Sequence, residues 1–187
     1  MYNNTVIAGL LIDHKANLNI QDKKGRTALF YSISAETSEI TELLIEAGSN
    51  VNLKDKDGYT ALMKSAHLGA SDSTKMLLTA KALINEKNQN GSSALMIATL
   101  GDQTDSISIL LESNANVNLQ DKLGFTALII ATLNENYGIV ELLIGAKANV
   151  HMKDKQGNSA LFYAVNQENE EIEDLLISAG AKGKYKK

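Results

Sequence analysis

The sequence predicts an all-α solenoid of stacked helix-turn-helix units joined by β-turn or hairpin loops. Three observations predict it. Glycines recur at Gly25, Gly58, Gly91, Gly124 and Gly157, each 33 residues after the last. Each begins one string, from Gly25-Arg26-Thr27-Ala28-Leu29 to Gly157-Asn158-Ser159-Ala160-Leu161. Further along each unit, apolar residues return at helical spacing, as in Ile40, Leu43 and Leu44 or Ile139, Leu142 and Leu143. A fixed period of this length marks an array whose units bury their apolar faces only against one another.

Each repeated position has a physical task. Asp22, Asp55, Asn88, Asp121 and Asp154 open a turn, because a short side-chain oxygen can accept nearby backbone N–H groups. The Gly three residues later supplies the positive φ of such a turn. Thr27, Thr60, Ser93, Thr126 and Ser159 are N-caps, so a first helix starts at the following Ala. A second helix follows, with its stripe at Ile40, Leu43, Leu44; Ile107, Leu110, Leu111; Ile139, Leu142, Leu143; and Ile172, Leu175, Leu176. Ser73 and Thr74 interrupt that stripe in the second unit, which predicts the poorest packing there. Gly48, Lys81, Asn114, Lys147 and Gly180 stop the second helices in a left-handed conformation, with Lys81 and Lys147 mildly strained. Val51, Ile84, Val117 and Val150 then turn inward before the next unit.

This turn, helix, helix and loop resembles the ankyrin repeat over essentially the whole chain. The family's Thr-Pro-Leu-His tetrapeptide stands here as Thr27-Ala28-Leu29-Phe30, Thr60-Ala61-Leu62-Met63 and Thr126-Ala127-Leu128-Ile129. Its proline is lost throughout, which costs no hydrogen bond at the first helical position. The reading divides the chain into a half repeat (1–21), full repeats at 22–54, 55–87, 88–120 and 121–153, and a capping repeat at 154–187. Residues 10–20 align with 43–53, so the half repeat supplies a second helix and loop without a first helix, and looks truncated. The other end looks like a cap: Glu168, Glu170, Glu171, Glu173 and Asp174 face outward, and Lys182, Lys184, Lys186 and Lys187 follow.

Composition removes several function classes. Cys is absent, so disulfides and cysteine zinc sites are excluded. A formal charge of −4 argues against nucleic-acid binding. The apolar run from Val6 to Ile12 is far shorter than the roughly 20 residues of a membrane span. It lacks a basic leader and a small-residue cleavage site, so a cytoplasmic location is expected. Asp55-Lys56-Asp57-Gly58 resembles the start of a calcium loop, but position 12 of that loop is Ala66 and the repeat already explains Asp55 and Gly58. His14, His67 and His151 lie in separate units with no ligand spacing, and His151 replaces the Asn of Asn19, Asn52, Asn85 and Asn118. Asn90-Gly91-Ser92 fits a glycosylation sequon but is the third turn. No catalytic residue, cofactor site or metal site is expected.

The resemblance implies a protein-binding module whose contacts concentrate on the concave face, at the turn tips and the ends of the first helices. Those positions hold Lys56, Tyr59, His67, Leu68, Leu100, Lys122, Leu123, Phe125 and Leu133, which form the candidate partner site. The apolar members gather in the middle units, with Tyr59 and Phe125 as aromatic anchors of the kind found at hot spots. The opposing reading is that Leu68 and Leu133 tuck between units as ordinary packing. Lys23, Lys56, Lys122 and Lys155 share one turn-tip position, either as a row for an acidic partner or as solvated lysines. The partner is expected to be another protein, with no nucleic acid and no membrane. A monomer is expected, with the half repeat as the one place for association. Three uses fit: an adaptor, an inhibitor or immunity-type binder of one toxin or enzyme, and a regulatory domain of a larger enzyme or channel.

Overall fold

The computed structural model describes residues 4–183. Lys184, Lys186 and Lys187 of the expected basic tail lie outside the described residues. Eleven helices are described: α1 (Asn4–Asp13), α2 (Ala28–Ser32), α3 (Glu39–Glu46), α4 (Ala61–Leu68), α5 (Ser71–Thr79), α6 (Ala94–Leu100), α7 (Thr104–Glu112), α8 (Ala127–Leu133), α9 (Tyr137–Gly145), α10 (Ala160–Asn166) and α11 (Glu170–Ser178). After α1 they pair as first and second helices, and each pair packs on the next.

The turn chemistry builds each unit. Asp22 Oδ1 accepts the N–H groups of Lys24 and Arg26 at 2.8 and 2.9 Å, and Asp55, Asn88, Asp121 and Asp154 repeat the arrangement. The hydroxyls of Thr27, Thr60, Ser93, Thr126 and Ser159 cap the first helices three residues on. Successive turns are then tied together. The N–H groups of Lys56, Gln89, Lys122 and Lys155 donate to the carbonyls of Lys24, Asp57, Asn90 and Leu123, each at 2.9 Å. Gly91 sits at φ +81° under this contact, and a Cβ there would stand 2.8 Å from Lys122 N. Gly157, at φ +88°, has no following turn and open space around it.

A second ladder runs along the loops. Asn19, Asn52, Asn85 and Asn118 each accept, through Oδ1, the N–H of a residue in the next unit at 2.7–2.8 Å. His151 stands at the next position of this series. Gln21, Lys54, Lys87 and Gln120 form a third, each donating to the carbonyl 33 residues on.

The second-helix stripe differs from the expected one. Leu44, Leu77, Leu110, Leu143 and Leu176 are all buried, and so are the residues three or four before them in most units. Leu43, Leu142 and Leu175 are only half-buried, and Ile107, 33 residues after Thr74, corresponds to Thr41 and Thr74 while Ser106 corresponds to Ile40. The expected weakness at Ser73 and Thr74 is likewise corrected: both are 0–1% exposed. Thr74 Oγ1 donates to Ser65 Oγ at 2.9 Å, and Thr41 meets Ser32 at the same distance. In the next units the same two positions hold Ala98 with Ile107 and Ala131 with Val140, all fully buried. A hydroxyl pair in two units is thus replaced by an apolar pair in the two that follow. The deficit that remains is one of chemistry: Ser73 Oγ and Ser106 Oγ are buried without a hydrogen-bond partner.

The N-terminal half unit is left open. Val6, Ile7, Leu10 and Leu11 of α1 are 46–61% exposed. Ala28 is also exposed, although Ala61, Ala94, Ala127 and Ala160 at the same position are 1–4% exposed. The cause is that those four pack under the first helix of the preceding unit, which α1 does not bring. A groove of about 380 Å³ lies there, lined in part by Leu11, Ile12, Leu18 and Ala28.

Two predictions follow from this packing. Gly91→Ala should lose more stability than Gly157→Ala by about 1 kcal/mol or more, since both pay the left-handed cost but only Gly91 also meets backbone. Equal losses in urea unfolding would show that the turn contact contributes nothing. Residues 4–13 should exchange their amide hydrogens faster than α6 and α8, because α1 buries no residue fully. Hydrogen exchange on a demonstrated monomer measures this, and equal protection would contradict it.

Candidate functional site

The face carried by the turns and the first helices is assembled from short-range elements. The Asx-type turns fix residues 56–59 and 122–125, and the capped first helices fix the residues at their ends. The two sets meet in a pocket of about 320 Å³ lined by Arg26, Phe30, Asp55, Asp57, Tyr59, Lys64 and His67. Tyr59 and His67, both expected at the site, are brought together there.

The remaining candidates have mixed placements. Leu100 and Leu123 are 67% and 62% exposed, and Leu68 is 38% exposed. Lys56 and Lys122 carry their side chains in solvent, while their backbones form the turn ladder. Leu133 is half-buried against the core, as the packing alternative held, whereas Leu68 is not enclosed. Tyr59 and Phe125 also pack on the core, and Phe125 meets Tyr163 edge-on at 6.3 Å. They are therefore structural as well as accessible, and truncating either would disturb the fold. The ends of α6 and α8 are linked, since Asn134 Nδ2 donates to the carbonyls of Thr99 and Leu100.

Sequence reasoning passed over Lys64 and Phe30. Lys64 Nζ donates to the Phe30 carbonyl at 2.7 Å and lies 5.0 Å from the centre of the Phe30 ring. Burial, and then the positive charge of Arg26, hold the Lys64 ammonium below the usual lysine value. Arg26 stacks on the same ring at 5.1 Å and pairs with Asp55 through Nε and Oδ2 at 3.3 Å. The signal was present in the sequence: Lys64 is the one Lys, Arg, Asp or Glu within α2, α4, α6, α8 and α10.

The two outer units share a different device. The hydroxyls of Tyr31 and Tyr163 donate to the turn carboxylates of Asp22 and Asp154. Burial pushes the Asp154 carboxyl up, but the Tyr163 hydroxyl and the N–H groups of Asn158, Gln156 and Gly157 more than offset it, and the group sits below the ordinary value of 3.8. Among the described residues no group of three or more His, Cys, Asp or Glu is placed to hold a metal. Among them, too, no helix is long and apolar enough to cross a membrane.

Paired helices, turns in register and a shared exposed face define a repeat solenoid. The comparisons identify which one. The family model for ankyrin repeats in three copies matches residues 1–88, 78–154 and 95–187. The chain belongs to the ankyrin-repeat family. A crystal structure of an ankyrin repeat domain from Acinetobacter baumannii AYE is similar, with a TM-score of 0.90 and 30% identity over 96% of this chain and 94% of that one. No curated protein matches the sequence. Ankyrin repeats are generally protein–protein interaction modules and typically non-catalytic scaffolds.

The Asp154 geometry predicts a pH effect. A carboxylate with a lowered folded value contributes stability above the ordinary 3.8 and loses it as pH falls through the folded value. Asp154→Asn, which copies Asn88 of the third turn, should therefore show a smaller stability loss than the parent between about pH 5 and pH 2.5. Parallel acid limbs in the two proteins would rule out this contribution.

Proposed function

We propose that this protein binds another protein through the face formed by its turn tips and the ends of its first helices. The observation that carries the proposal is the exposure of Leu100 and Leu123, 67% and 62%, on the face formed by the turns and first helices. Neither side chain fills the core, caps a helix or closes a turn. Fully burying one such Leu against a partner would return roughly 1.5–3 kcal/mol, which neither realises in the free chain. Leu68 extends the apolar surface toward the second unit, and Lys56, Lys122, Tyr59 and His67 supply polar groups around it. Phe125 and Leu133 support the surface from beneath.

The backbone under this face is held by hydrogen bonds from turn to turn, so docking freezes few degrees of freedom in the solenoid. A rigid, side-chain-defined platform suits recognition of one folded partner and does not require a small-molecule cavity. The reading places no catalytic group, cofactor or metal on the chain.

The test uses a partner recovered by affinity capture and verified with purified components. Leu100→Asp and Leu123→Asp should each leave the melting temperature within a few degrees of the parent, as surface substitutions do. Each should weaken partner binding by about 2 kcal/mol or more, as centrally placed anchors do. Unchanged affinity in both variants would move the binding face elsewhere.

A further inference from the structure

We propose that the pocket between the first two units is a carboxylate subsite, in which Lys64 receives an acidic side chain of the protein partner. The inference rests on the protein-binding reading and gives it a chemistry.

Four observations converge on Lys64. First, its ammonium is half-buried and lies above two aromatic rings, 5.0 Å from Phe30 and 5.9 Å from Tyr31. Together with the bond to the Phe30 carbonyl, this holds the charge in one place. Second, it has no carboxylate within ion-pair distance: among the described residues the ion pairs are Arg26–Asp55 and Lys54–Glu86. Third, the buried acid of this pocket is already committed. Asp55 Oδ1 accepts the N–H groups of Asp57 and Tyr59, Oδ2 takes Arg26, and its side chain is 2% exposed. Fourth, the cavity in front of it is open to solvent and offers His67 and the Tyr59 ring beside the charge.

The charge count selects the ligand. Arg26 is balanced by Asp55, and Asp57 stands on the rim as a further negative group. A doubly charged phosphate would therefore meet Asp57 without enough positive charge to hold it. With Asp57 counted, the charges of Arg26, Lys64, Asp55 and Asp57 sum to zero, so a single carboxylate pairing directly with Lys64 meets less repulsion from Asp57 than a dianion does, and an apolar neighbour on the same chain can lie on Tyr59. Burial and the neighbouring Arg26 already disfavour the Lys64 ammonium, and the opposite charge of an incoming carboxylate offsets them. The open shape suits a side chain from a segment crossing the face. That the same pocket admits a chain terminus is left for the test to decide.

The probes are three short peptides: acetyl-Phe-Glu-Phe-amide, its Gln counterpart, and the Gln peptide with a free C-terminal carboxylate. Each is titrated into the isotope-labelled full chain and followed by amide chemical shifts. The Glu peptide should move Arg26, Tyr59, Lys64 and His67, and bind at least about fivefold more tightly than the Gln amide. Lys64→Met keeps most of the stem and should abolish that preference while Lys122→Met retains it. Should Lys64→Met fail to fold, salt serves instead: the preference in the parent should shrink between about 20 and 500 mM NaCl. Equal binding of the Glu and Gln amides, a preference that survives Lys64→Met, or one indifferent to salt would overturn the proposal. Tighter binding of the free-carboxylate peptide than of the Glu amide would overturn it in favour of a chain terminus. These outcomes do not depend on Leu100 or Leu123, so the subsite can fail while the wider binding face stands.

Discussion

The contact between successive turns is the constraint on which the solenoid depends. One N–H per unit reaches one carbonyl of the unit before it, at 2.9 Å in all four junctions. That distance leaves no room for a side chain on the residue three after each turn-opening Asp or Asn. Gly25, Gly58, Gly91 and Gly124 are therefore fixed twice, by their left-handed φ and by the backbone that stands against them. Only Gly157 is released from the second requirement. With the turns locked at this spacing, the Asn and Gln/Lys ladders fall into register and the helices are brought into contact. Because every tie runs between neighbours, stability is distributed as unit and junction contributions instead of one central core.

Within that frame the units are not equivalent. The first two join their helices by hydroxyl pairs, Ser32–Thr41 and Ser65–Thr74, and the next two place Ala98, Ile107, Ala131 and Val140 at the same positions. A hydrogen bond between hydroxyls contributes about 1 kcal/mol net, while the apolar exchange gains buried surface. The apolar middle units also carry the more exposed leucines, Leu100 and Leu123. The outer units use Tyr31 and Tyr163 to anchor a turn carboxylate, a support the inner turns at Asn88 and Asp121 do without. Arg26 provides it for Asp55 from the unit before. The most exposed leucines thus lie in the middle units, and the tyrosine–carboxylate bonds lie in the outer ones.

The proposed binding face combines two kinds of group. Leucines on the third and fourth units supply area without direction. Lys64, held over Phe30 and Tyr31, places a fixed charge at the proposed subsite, which would favour one chemistry in a bound chain. Area favours affinity, and a fixed charge favours discrimination. Having both on a backbone that does not need to reorganise is consistent with a selective interaction module.

Much of this was legible in the sequence because each signal is local. The turn-opening Asp or Asn, the Gly and the capping Thr or Ser act within five residues of one another, so a fixed spacing reveals them. The left-handed stops at Lys81 and Lys147 were readable for the same reason, and both have positive φ. Tertiary structure decided what depends on the next unit. It showed that Leu43, Leu142 and Leu175 are only half-buried while Thr41, Thr74, Ile107 and Val140 are fully buried, since the neighbouring helices determine how wide a side is covered. It buried Ser73, made Phe125 a packing residue, and exposed Ala28 although its sequence context matches that of Ala61. It also drew Arg26, Phe30, Tyr59 and Lys64 into one pocket from two successive units. A repeat period specifies which bonds each residue can make with its own unit; the stacking of one unit on another decides which side chains lose water and which charges are left without a partner.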